Sequence, residues 1–180
     1  FVVTEAVIKD PDTYLRQVIE NQPPEKWNNL FEKVFLENKA YVADYIKDNW
    51  KNFSLTYGLT LSEIRSDLVA LYFCTHIVEI EDAVQKIKTF HDAIREIEIE
   101  VSKSYALNIV FEEDAIDFLL EQFIRHHATH EEILSKIYDS YYDGFNLVRE
   151  KTGKNRFFLS KQALIDHETY LNDLIRKELT

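Results

Sequence analysis

Glycine and proline are scarce in this chain, three of each in 180 residues, and cysteine occurs once. A phosphate-cradling P-loop needs two glycines flanking four residues ahead of its lysine. Gly58, Gly144 and Gly153 cannot supply that spacing: Gly153-Lys154 looks like the end of such a loop, but the nearest upstream glycine is Gly144. Lys151-Thr-Gly-Lys154 reads instead as a helix ending on a glycine cap. The chain alone is therefore not expected to hydrolyse nucleotide. The single Cys74 rules out an internal disulfide and disfavours a secreted scaffold. Within the apolar run Leu68–Val78 it reads as an inert core thiol. That run is too short to span a bilayer, and no signal peptide is visible, so a cytoplasmic protein is expected. The chain opens on Phe1, inside the strand-like Phe1-Val-Val-Thr4, and reads as a piece of a longer protein.

Positive charge is also in deficit, with 21 Lys and Arg against 32 Asp and Glu, for a net charge of -11. Such a field repels phosphate backbones and anionic lipid, so neither nucleic acid nor membrane is an expected partner. The longest basic cluster, Arg149 to Arg156, is interrupted by Glu150 and Gly153. What the chain has in abundance is apolar side chains, 46% of the total, enough for a core without staples.

The spacing of those apolar residues predicts a mainly α fold, a helical bundle with a minor two- or three-stranded sheet. Asp10-Pro11 starts a helix that stops near Pro23-Pro24. A second carries Trp27, Leu30, Phe31, Val34, Tyr41 and Tyr45 at helical intervals and breaks at Gly58. Thr60-Leu-Ser-Glu63 spells a capping box that opens a third. A fourth sets Val84, Ile87, Ile94, Ile97 and Val101 on one stripe; its Ile97–Val101 stretch alternates like a strand, but the longer helical period should prevail. Asn108-Ile-Val-Phe111 is a strand candidate. Glu112 and Glu113 follow in the first turn of a helix burying Ala115, Leu119, Phe123 and Ile124. The next helix shows Leu134, Ile137, Tyr138, Tyr141, Phe145 and Val148 and ends at Gly153. A second short strand, Arg156-Phe-Phe-Leu159, leads to the last helix. Residues 1–19 also align without gaps on 157–175, both reading as strand, Thr or Ser cap, one helical turn, Asp cap, helix. A duplicated unit and a coincidence of composition both fit that echo.

No catalytic constellation is complete. His126, His127 and His130 cluster beside Glu131, and on one helix His126 would share a face with His130, and His127 with Glu131. Zinc proteases need Glu directly after the first His, where His127 stands, so a solvated helix junction is the expected role and no metal is assigned. Glu-x-x-His pairs for a di-iron bundle are absent. His76, His91 and His167 are scattered, and Cys74 lacks a nucleophile elbow. The carboxylate runs Glu79, Glu81, Asp82 and Glu96, Glu98, Glu100 read as wet helix faces. Tyr138, Tyr141, Tyr142 and Phe145 follow one helix as core or, less expectedly, as a docking stripe.

The order helix, strand, helix, helix, strand over residues 85–165 resembles the helical small domain, or lid, of Clp-type AAA+ unfoldases. Asn108-Ile-Val-Phe-Glu-Glu-Asp-Ala-Ile-Asp-Phe-Leu119 is similar to the lid segment of strand, acidic turn and apolar pair. Phe157-Phe-Leu-Ser-Lys-Gln-Ala-Leu164 resembles the closing lid strand, which pairs with the first. The resemblance implies residues 81–180 as an AAA+ small-domain-like region and leaves 1–80 as an inserted or appended helical segment. It further implies packing on the protein's own ATPase domain and on neighbouring subunits of a ring, nucleotide-coupled motion, and a protein substrate or protease partner. ATP and Mg would belong to the parent protein, with no cofactor in this region. In such lids a Gly-Ala-Arg sensor opens the second helix; here Thr129-His130-Glu131 stands there, and an acid repels phosphate. Arg125, on the preceding helix, is the nearest basic candidate. A helical protein-interaction module unrelated to ATPases is the alternative.

Overall fold

The computed structural model describes residues 8–10, 23–76 and 78–179, with the side chains at positions 24, 27, 30 and 31 outside that description. The strand-like start, the helix expected from Asp10-Pro11 to Pro23 and the N-terminal copy of the echo lie outside the described residues. Among these residues, seven helices surround one short sheet, in the order α1 (Pro24–Tyr57), α2 (Glu63–His76), α3 (Ile80–Tyr105), β1 (Asn108–Phe111), α4 (Glu113–Arg125), α5 (His130–Thr152), β2 (Arg156–Leu159), α6 (Lys161–Ile165) and α7 (His167–Leu179). A mainly helical fold with a minor sheet is what the apolar spacing predicts.

Pro24 sits in the first turn of α1, where its missing N–H costs nothing, and Gly58 closes the helix at φ 58, its N–H donating to Ser54 O. Val42, Ile46 and Phe53 are the core-facing positions of this 34-residue helix. Val34 and Tyr41, expected on an inward stripe, are exposed instead. Tyr45 does reach the core and donates to Glu81 at 2.6 Å. The α2 start differs from the expected capping box. Ser62, not Thr60, accepts the cap bond, from the Arg65 N–H at 3.2 Å, while the Thr60 carbonyl accepts from the Arg65 guanidinium.

Along α3, Ile80, Ala83, Val84, Ile87, Ile94, Ile97 and Val101 are all buried, so the helical period overrides the alternation at 97–101. The helix ends at Ala106, which takes φ 53, a left-handed cap without glycine. Its last carbonyls, at Tyr105 and Ala106, accept from the Arg149 guanidinium of α5.

The two strands pair in parallel with Asn108 opposite Arg156, Ile109 opposite Phe157, Val110 opposite Phe158 and Phe111 opposite Leu159. Parallel strands need a long crossover, and the α4–α5 hairpin provides it. Period-two alternation buries Ile109, Phe111, Phe157 and Leu159 and leaves Asn108, Arg156 and Phe158 outward. Phe157 stacks on Phe145 with centroids 4.1 Å apart, and burial of such a ring contributes about 2–3 kcal/mol. Beyond β2 the chain bends as the sequence implies: Ser160 Oγ accepts from the Ala163 N–H, one helical turn follows, and Asp166 Oδ1 accepts from Thr169 N–H to start α7. A Cβ at Gly144 would meet Leu171 Cδ2 at 2.7 Å, so the missing side chain leaves room for the Leu171 methyl of α7 against α5. Core residues from Val42 in α1 to Leu164 in α6 form one cluster.

Candidate functional site

The most concentrated charge chemistry lies where α2, α3 and α4 meet, at a place sequence spacing does not reveal. Arg65 is 4% exposed, the one buried charged side chain among the described residues. Its Nε donates to Asp117 Oδ1 and its Nη2 to Glu113 Oε2, each at 2.6 Å, and its Nη1 donates to Thr60 O at 3.1 Å. Buried guanidinium groups need a full set of acceptors, and this fork has one on each side. The Arg65 hydrogen bond holds the Glu113 carboxyl below its ordinary range, with Arg95 and His91 adding to that pull. Arg95 Nη2 stands 3.7 Å from Glu113 and its Nη1 donates to Glu98 at 2.9 Å. Glu98 also accepts the outer N–H of Phe111 in β1 at 2.7 Å, so it is a structural acceptor and not the wet-face residue expected of its run.

His91 completes the cluster. Its Nδ1 is buried without a hydrogen-bond partner, 3.6 Å from Asp92 Oδ1. Burial first, then the Arg65 charge, push the imidazole below its ordinary value, so it is neutral at pH 7. The arrangement is a matched ion network that ties three helices and one strand together. Each carboxylate is spoken for by a guanidinium or an amide, and no water-activating or nucleophilic pair emerges from it.

The sequence-selected histidines do not converge. α4 ends at Arg125, His126 is its cap at φ -109, and His127 turns left-handed at φ 52, so no single helix carries His126 with His130 or His127 with Glu131. His130 Nε2 lies 3.1 Å from Glu100 Oε2. No group of three potential metal ligands occurs among the described residues. Thr129 and Glu132 form a full capping box at the start of α5, a Thr-x-x-Glu signal that the sequence carries alongside the histidines. Glu131 is exposed in that first turn, and Arg125 pairs with Glu121 at 2.8 Å on α4. Lys154 follows the Gly153 cap, at φ 75, and pairs with Glu178 at 2.5 Å; this is a helix end, as the sequence implies.

Cys74 is half-buried, not in the core as expected, and burial pushes its thiol upward, away from the reactive thiolate. Tyr141 and Phe145 are core residues, and the Tyr141 hydroxyl donates to Ala163 O at 2.6 Å. Tyr138 and Tyr142 are half-buried against Tyr105. Between α4, α5 and α6 lies an open apolar cavity of about 180 Å³ floored by Leu119, Ile133, Ile137 and Leu164, with Gln122 and Lys136 at its rim. Comparison with protein-family models, with curated proteins and with solved structures gives no match.

Proposed function

We propose that the chain is a lid-type helical region of a Clp-like AAA+ ATPase, itself non-catalytic, which packs subunits in a ring and transmits nucleotide-coupled motion. One observation carries the proposal. β1 and β2, 48 positions apart in register, pair in parallel around a two-helix hairpin, the closure that the residues at 108–119 and 157–164 imply for such a lid. No helix among the described residues is long and apolar enough to cross a membrane, which accords with a cytoplasmic ring protein. Glu131 at the start of α5 repels phosphate, so the role rests on packing and not on sensing nucleotide. The test is ATP turnover measured on the chain alone and on the whole protein that carries it. Turnover and ring assembly by the whole protein only are expected. Turnover by the chain alone, or a preceding region without a P-loop and an acidic Walker-B strand, defeats the proposal.

A second reading is favoured by α1, whose Leu36, Tyr41, Trp50 and Leu55 are exposed. Aromatic and aliphatic side chains displayed on one long helix suit a protein-interaction module. Cross-linking and sedimentation that reveal neither a partner nor self-association count against it.

A further inference from the structure

Among the described residues the sheet has two strands, and there the outer edge of β2 is not paired to another strand. In the parallel register, Phe157 and Leu159 turn their backbone groups toward β1, and Arg156 and Phe158 turn theirs outward. One outward group is taken: the Phe158 carbonyl accepts from the Tyr170 hydroxyl at 2.8 Å. Alongside runs a groove of about 280 Å³ between β2 and α7. Phe158, 49% exposed, and Leu174 give it an apolar lining, and Lys154, Arg156 and Lys177 give it a cationic rim. Asp173 is the one carboxylate in that lining. Glu178 neutralises Lys154, while Arg156 and Lys177 have no ion-pair partner among the described residues; the Arg156 guanidinium lies over the Phe158 ring, 5.1 Å from its centroid.

We propose that this groove binds an extended acidic peptide segment, which adds to the outer edge of β2 as a third strand. An open edge is a template for strand addition, with main-chain bonds giving affinity and side chains choosing the partner. The charge pattern makes that choice. In a chain of net charge -11 this local surplus of cations draws a strand bearing Glu or Asp and repels a basic one. Apolar residues alternating with those acids would lie along Phe158 and Leu174. The proposal does not depend on the ATPase reading.

The probe is a fluorescein-labelled octapeptide alternating glutamate with valine, titrated against the chain and followed by anisotropy. Two control peptides carry lysine for glutamate, or N-methyl groups on alternate backbone nitrogens. Binding of the glutamate peptide is expected, weakened by about tenfold or more by either control change and by the double variant Arg156→Glu/Lys177→Glu. Both substituted positions are exposed, and an unchanged circular dichroism spectrum establishes that the variant is folded. Equal binding of the glutamate and lysine peptides, indifference to N-methylation, or no binding at millimolar peptide overturns the proposal. So does concentration-dependent dimerisation through this edge, which would make a second copy the occupant.

Discussion

Replacing Asp117 with Ala probes the Arg65 network most sharply. The Asp117 side chain is 12% exposed and accepts from a guanidinium that is 4% exposed, so its loss leaves a buried cation short of an acceptor. Removing one partner of a buried pair costs about 3–5 kcal/mol. Here Thr60 O and Glu113 still hold Arg65, but the Glu113 side chain is 72% exposed and its share is screened by water. The loss is thus placed at the low end, about 3 kcal/mol, or about 6–12 °C in Tm for a domain of this size. Urea and thermal unfolding measure it. The double variant Arg65→Met with Asp117→Ala removes both charges and should recover about 2 kcal/mol relative to the sum of the Arg65→Met and Asp117→Ala losses. A cost below about 1 kcal/mol for Asp117→Ala, or strict additivity in the cycle, would refute the claim that this pair anchors α2 to α4.

Stability should also depend on pH through two groups of the same cluster. The His91 pKa is lowered by folding, so the unfolded chain takes up a proton first, and stability falls as pH drops below 6.5 until the folded value is passed. The Glu113 carboxyl is likewise held low, and its contribution is complete above about pH 4.5 and lost on further acidification. His91→Phe should remove the first step in a pH series of unfolding midpoints, and Glu113→Gln should shrink the second. Ala106→Gly should stabilise by about 0.5–1 kcal/mol, since Ala106 is held at φ 53, where a Cβ is strained; unfolding midpoints unchanged or lowered would contradict this. Phe157→Ala removes a ring 1% exposed and stacked on Phe145, and should cost about 4 kcal/mol in chemical unfolding.

Most of the fold was legible because its signals are local. The stripe from Val84 to Val101, the alternation at 108–111 and 156–159, and the glycine at 153 each specify their element within a few residues. That the two strands pair is expected only through the resemblance, which gives no direction; the parallel register comes from the structure, since nothing in either tetrapeptide names its partner. The role of Arg65 is not legible in the sequence because its two carboxylate acceptors lie 48 and 52 positions away, a distance at which no periodicity carries information. The start of α2 differs because Ser62, two positions beyond Thr60, supplies the hydroxyl that accepts the cap bond. Val34 and Tyr41 follow a helical rhythm correctly yet face solvent, because rhythm reports a helix and not which neighbour arrives to cover it.

Cross-linking between the two strands reaches the central claim most directly. With Cys74 replaced by Ser, paired cysteines at Val110 and Phe158 stand opposite each other in the parallel register, on the outward side of the sheet. Mild oxidation should join them rapidly, leave the circular dichroism unchanged, and join cysteines at Asn108 and Phe158 far more slowly. Equal rates for the two pairs, or a failure to close the 110–158 bridge, would dissolve the strand–hairpin–strand unit and with it the case for a lid.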